Sequence, residues 1–221
     1  MKSIKILLAA LATIFAACEG PAYFTSPLSQ PGQSAIDESV LGLWYLSVGK
    51  KSTAILNVAR IGDDRLGIVL SMMATESQTT EKFEKSNCTW YMTAHPTELA
   101  GQRYYNVSTV SAANLKEPVS PETLESVAGY MIHTARIVDD DWLVISTIKE
   151  HTPAKLAGWS EADGHRVGKS DRYVASQEEL TALIATVDGE ELFKAIAYFR
   201  RLPPVTKESV PAEILDLPGV K

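Results

Sequence analysis

The chain has 221 residues, a formal net charge of −6 and 45% hydrophobic residues. That length fits one folded domain with tails, and the apolar content is enough for a real core. The acidic balance argues against nucleic acid as a partner and against an electrostatic grip on anionic lipid.

The first element is an export leader. Lys2 and Lys5 give it a positive start, and Ile4 to Phe15 is an apolar run interrupted by Lys5 and Thr13. About a dozen residues are too few to cross a ~30 Å hydrocarbon core, which takes ~20 helical residues. They suit the h-region of a secretory signal. The run ends in Phe15-Ala16-Ala17-Cys18, which resembles the bacterial lipobox, with Phe15 where leucine is usual. The resemblance implies cleavage before Cys18, so that residues 1–17 are a lipoprotein signal peptide. It also implies diacylglycerol, with palmitate-like chains, on the Cys18 thiol. An ordinary signal peptide is the alternative. Cleavage after Ala17 would then put bulky Phe15 at −3, and cleavage after Cys18 would put Ala16 and Cys18 at −3 and −1.

Glu19, not aspartate, follows the cysteine. Resemblance to the enterobacterial sorting system then implies a lipid-anchored protein on the outer membrane, facing the periplasm. One acyl chain holds only weakly, whereas two or three would make the attachment effectively permanent. The leader removes two lysines and no acids, so the mature body is more acidic than the whole chain. With Cys18 acylated, Cys88 has no partner within the chain. Without acylation, a Cys18–Cys88 bridge is open to it.

Residues 18–39 read as the acylated cysteine and a flexible tether, because Pro21, Pro27 and Pro31 forbid helix interiors and few residues supply a core. Residues 40–202 read as a single β-rich globular domain. Its strands are expected at 41–48, 54–61, 65–72, 87–94, 102–110, 130–138 and 142–149, each rich in β-branched or aromatic residues. Gly62-Asp63-Asp64 and Asp139-Asp140-Asp141 read as hairpin turns. The second aspartate run also suits calcium, but its acids are not spread as an EF-hand-type loop requires. Residues 74–86 read as a loop or exposed edge. Ser120-Pro121 reads as the start of a short helix.

Residues 150–172 read as loop, with one further strand ending at Val174. The hydrophobic period then changes. Ser176 and Glu179 form a capping box ahead of Leu180, Leu183, Ile184 and Val187. A second helical stripe is expected from Leu192, Phe193, Ile196 and Phe199. Residues 203–221 read as a loose tail. The order of elements predicts a mainly β (α+β) fold, an antiparallel small barrel or sandwich of about seven to eight strands with C-terminal helices.

Gly42-Leu43-Trp44 resembles the G-x-W that opens lipocalin and other calycin barrels, although the T-D-Y turn of lipocalins is not found. The wider layout is similar to small lipoproteins of Gram-negative bacteria that carry a compact β domain. The doublets Trp44-Tyr45, Trp90-Tyr91 and Tyr104-Tyr105 each put one ring on each face of a sheet. Inward rings would fill a core or line a cavity for a small apolar ligand. Trp44, Trp90, Tyr105 and Trp142 are the candidate lining.

Catalytic signatures are absent: no GxSxG, HExxH, CxxC, P-loop or GxGxxG occurs. His95, His133, His151 and His165 are scattered without the close spacing of zinc ligands. No catalytic residue, metal or cofactor is therefore expected. The sequence points to a non-enzymatic, membrane-anchored binding or accessory lipoprotein. A structural subunit of an envelope complex is the alternative. An envelope hydrolase would need Ser146, Asp141 and His133 to converge.

Overall fold

The computed structural model describes residues 21–48, 52–74, 88–110, 129–167 and 172–203. Ten strands lie in one sheet: β1 (Tyr23–Phe24), β2 (Gly42–Val48), β3 (Ser52–Arg60), β4 (Leu66–Ala74), β5 (Cys88–Leu99), β6 (Gln102–Val110), β7 (Tyr130–Val138), β8 (Trp142–Ile148), β9 (Arg172–Tyr173) and β10 (Phe193–Arg201). Eight of them, β2 to β8 and β10, close into an antiparallel barrel of lipocalin-like form, with β6 joined to β7 and β10 to β2. The expectation of a mainly β barrel with about seven to eight strands is met. Among the described residues the α-helices are α1 (Thr152–Ala157), α2 (Gln177–Thr186) and the single turn α3 (Gly189–Leu192).

Period-two side chains decide what each strand buries. One parity points inward: Trp44, Leu56, Leu66, Ala94, Val107 and Leu143 belong to the barrel core. The other parity points outward, and on one side it is covered. Tyr104, Ile132 and Ile148 meet Leu180, Leu183 and Ile184 of α2 in a second cluster. The α2 capping box read from Ser176 and Glu179 is present, with both of its hydrogen bonds made. The doublets behave as expected: Trp44 and Tyr105 join the inner cluster, and Tyr104 the outer one.

The two ends of the barrel differ. At one end the hairpins are tight. Ala100 and Gly101 link β5 to β6, and Asp139 and Asp140 turn β7 into β8, all four with positive φ. A one-turn 3₁₀ helix (Glu38–Val40) plugs this end, capped by Asp37. The other end carries the longer connections, from β4 to β5, β6 to β7 and β8 to β10. We call it the mouth.

Two elements differ from the sequence reading. The second helical stripe is a strand: Leu192 ends α3 and Phe193–Arg201 is β10. A register shift between Ala195 and Ala197 inserts one extra residue against β8. The bulge reverses the parity, so Phe193 packs outward while Phe199 packs inward. Apolar residues separated by such a shift mimic helical spacing.

The supposed tether is also packed, at least from Pro21 onward. Ala22, Phe24 and Leu28 are buried in the outer cluster, and Ile36 and Val40 in the inner one. β1 wedges in where β7 and β8 part: Phe24 pairs with Tyr130, and the Ala22 N–H donates to the Ile148 carbonyl at 2.8 Å. The strap then crosses β5 and β6 over a buried polar network. The Leu28 N–H donates to Asn106 Oδ1 (2.6 Å), Asn106 Nδ2 donates to Thr97 Oγ1 (2.7 Å), and His95 Nε2 donates to the Ser29 carbonyl (2.7 Å). Prolines ruled out helix here, as expected, but individual apolar residues and satisfied polar groups fix the path instead. Cys18, the Ser120 helix start and the 203–221 tail, apart from Pro203, lie outside the described residues, as does the side chain of Cys88.

Candidate functional site: the barrel interior

The plugged end is sealed by one aromatic ring. Trp44 is fully buried, and its Nε1–H donates to the Val40 carbonyl at 3.0 Å. The Arg201 guanidinium lies over the ring, 4.0 Å from its centroid. It donates to the carbonyls of Ser39 (2.6 Å), Leu41 (3.1 Å) and Asp140 (3.3 Å). Those carbonyls surround the 3₁₀ helix and the β7–β8 turn, so one cation ties together the plug, the turn and the last strand. The residues around this floor, Val40, Leu66, Leu143 and Phe199, are buried.

Part of the inner wall is less covered, although Ala54, Met72, Val107 and Met131 toward the mouth are buried. Leu46, Ile68, Leu70, Trp90, Met92 and Ile145 pack against the core yet keep partial exposure. Inward side chains of a closed barrel can meet solvent only through its interior or at its open end. The wall is thus an apolar surface that water reaches.

A polar row interrupts this wall. Tyr105 on β6 lies directly across from His133 on β7, and His133 across from Thr147 on β8. Arg103 sits two residues before Tyr105, on the same face. Directly opposed residues have Cβ atoms about 5 Å apart. Thr147 is satisfied, its hydroxyl donating to the Ile132 carbonyl at 3.3 Å. Tyr105 Oη, His133 Nδ1 and Arg103 Nε are buried and meet no partner. Desolvation pushes the Tyr105 phenol up to about 12, aided by the Asp37 carboxylate, with Arg103 pulling weakly the other way. Burial drives the His133 imidazole down to about 4, against a smaller opposing effect of a backbone hydrogen bond at Ser146. At neutral pH the phenol is protonated and the imidazole uncharged. Arg103 is charge-compensated by Asp37 at 3.2 Å and Glu98 at 3.9 Å.

The candidate lining residues therefore separate. Trp90 and Tyr105 face the interior, Trp44 forms its floor, and Trp142 does not line it. Trp142 has the parity opposite to Leu143 and stands 41% exposed on the outer face. The residues a hydrolase would need are apart as well. Ser146 shares the outward parity of Ile148, His133 faces inward, and Asp141 lies in the turn at the plugged end. Among the described residues no group of three metal-ligating side chains comes together. Sequence reasoning missed Arg103. Its signal was parity alone, two residues from Tyr105 on a strand.

The other three histidines sit outside the barrel, His151 half exposed beside Glu150 at 2.8 Å. His95 belongs to the strap network. His165 is stacked on Trp159, 5.0 Å between centroids and 16° between planes, with Asp163 and Glu179 each 3.0 Å from one ring nitrogen.

Comparison with known proteins gives no match: no family model, no curated protein and no solved structure aligns with this chain.

Proposed function

We propose that the protein is a lipid-anchored, non-enzymatic carrier that holds a small apolar molecule inside its barrel, on the periplasmic side of a bacterial outer membrane. The observation that supports it best is the inner wall. Ile68, Leu70, Trp90 and Met92 are apolar, point inward and are only partly buried. Apolar concave walls carrying a few polar groups are the usual make-up of small-molecule sites. The anchor rests on the leader and on Cys18.

The test uses the full chain carrying Cys18→Ser, which removes the acylation site and leaves every described residue intact. Titration with N-phenyl-1-naphthylamine should give saturable fluorescence at one site. Ala135→Phe, which adds bulk to a half-buried inward position, should weaken it at least tenfold while circular dichroism stays unchanged. Absence of saturable binding by the unblocked protein contradicts the carrier reading. In cells, Cys18→Ser should move the protein from the membrane fraction to the soluble periplasm. Unchanged partition contradicts the anchor.

One observation favours the accessory-subunit reading. Leu43, Trp142 and Tyr198 are each more than two-fifths exposed on the outer faces of β2, β8 and β10, around Arg200. Exposed apolar side chains gathered in one place mark interaction surfaces. A photo-crosslinker at position 198 should capture a single envelope protein if this face docks. Recovery of uncrosslinked monomer alone contradicts that reading.

A further inference from the structure

The row formed by Arg103, Tyr105 and His133 has a composition that selects a ligand head. We propose that these three side chains form a hydrogen-bonding seat, inside the barrel, for the hydroxyl group of an otherwise apolar alcohol. The inference rests on the carrier reading and adds to it the chemical class of the ligand.

The first argument is satisfaction. Tyr105 Oη, His133 Nδ1 and Arg103 Nε are all buried and all lack a partner, and Tyr105 as a whole is 4% exposed. A buried polar group left unpaired costs about 1–3 kcal/mol. Three such groups within one neighbourhood are rare in a native interior. Tyr105 and His133 are direct cross-strand neighbours, and Arg103 is close enough to Tyr105 to influence its ionisation. The Arg103 guanidinium reaches the Tyr105 phenol with a hydrogen-bonding effect that lowers its pKa slightly, yet Tyr105 Oη, Arg103 Nε and His133 Nδ1 each lack a partner in good geometry. A third polar group would answer all of them.

The second argument is donor and acceptor type. The Tyr105 phenol and the Arg103 Nε–H are donors, and a neutral imidazole can offer a bare Nδ1 as acceptor. A hydroxyl accepts two hydrogen bonds and donates one. It therefore matches all three atoms at once. An ether oxygen leaves the imidazole unmet.

The third argument is charge. Arg103 already faces Asp37 and Glu98, so the neighbourhood carries one negative charge in excess before any ligand enters. His133 contributes none at neutral pH. A carboxylate head would meet repulsion as well as desolvation, and an ammonium would meet the guanidinium and two donors. A neutral head pays neither penalty. The apolar remainder of the molecule then lies along Leu70, Trp90 and Met92 toward the mouth.

The experiment ranks head groups on one chain length. 1-Dodecanol, dodecyl methyl ether and sodium dodecanoate compete with N-phenyl-1-naphthylamine at pH 7.4, using the Cys18→Ser chain. Dodecanol should bind about tenfold or more tightly than either competitor. Tyr105→Phe should weaken dodecanol about five- to tenfold, the worth of one lost hydrogen bond, and leave the fluorophore within twofold. His133→Leu should shrink the gap between alcohol and ether. If the fluorophore binds but dodecanoate equals or beats dodecanol, or Tyr105→Phe leaves dodecanol unchanged, the seat is wrong and the carrier reading stands. If the fluorophore does not bind the parent chain, both fall. Should Tyr105→Phe fail to fold, the ranking on the parent chain still decides.

Discussion

Arg201 covers Trp44, with its guanidinium 4.0 Å from the ring centroid and its N–H groups turned to three main-chain carbonyls. The contact joins the last strand of the barrel to the first. It matters because the seam between β10 and β2 is short, with Arg200 opposite Tyr45, Arg201 opposite Trp44 and the Leu202 N–H donating to the Leu43 carbonyl at 2.8 Å. Arg201→Ala should cost about 2–3 kcal/mol, combining a partly desolvated cation–π contact with charge-assisted hydrogen bonds. Arg201→Lys should recover less than half, because an ammonium cannot stack flat and fork to three acceptors. Urea unfolding followed by tryptophan fluorescence reads both variants.

The strap depends on Asn106. Its amide receives the Leu28 N–H and donates to Thr97 and to the His95 carbonyl, all on a residue that is 1% exposed. Asn106→Ala should destabilise the protein by about 2–4 kcal/mol, since several buried partners lose their bonds together. Amide exchange at Leu28 should accelerate more than exchange at Leu56, deep in β3. Equal acceleration at both would show that the strap does not open by itself.

Gly129 has no room for a side chain. Its φ is +80°, and a Cβ there would meet the Phe24 carbonyl oxygen at 2.6 Å. Gly129→Ala should cost about 2 kcal/mol or more, through left-handed strain and the displacement of β1. Thermal unfolding checks the loss. A variant with unchanged Tm would mean that β1 contributes nothing to the barrel.

Two histidines should bound the pH range of stability from opposite sides. His165 is raised above its ordinary value, first by Glu179 and then by Asp163. A raised base stabilises fully below its unfolded pKa of about 6.5, and the gain is lost as pH rises through the higher folded value. His133 is lowered to about 4 by burial. There the unfolded chain binds the proton more readily, so stability falls as pH drops from about 6.5 toward 4. The loss approaches roughly 3 kcal/mol at the acid end. Stability should therefore peak near pH 6.5. His133→Leu should flatten the acid limb and His165→Ala the alkaline one, as seen in urea midpoints from pH 4 to 8. A curve with the same shape in both variants would refute the assignment.

The strands were legible because alternation is a local property. β2 to β8 appear in the sequence with their turns, and the Asp139-Asp140 pair announced a turn that does need positive φ. β10 was hidden because its bulge breaks the alternation that identifies a strand. The strap was hidden for another reason. It docks through Ala22, Phe24, Leu28 and Ile36 at irregular spacing, and through Asn106, some eighty residues away. No local pattern encodes that. The polar row was half visible: Arg103 and Tyr105 share a face by count, but the position of His133 depends on a register set by strand pairing. Trp142 misled because residue type was read without parity.

Ala22 is bonded to Ile148 beside the mouth, which leaves only three peptide links between Cys18 and the fixed backbone at Pro21. Fully extended, they reach about 11 Å. Under the proposed acylation at Cys18, the mooring would be no longer than that reach. If the proposed acylation holds, the mouth and not the hairpin end would then face the bilayer.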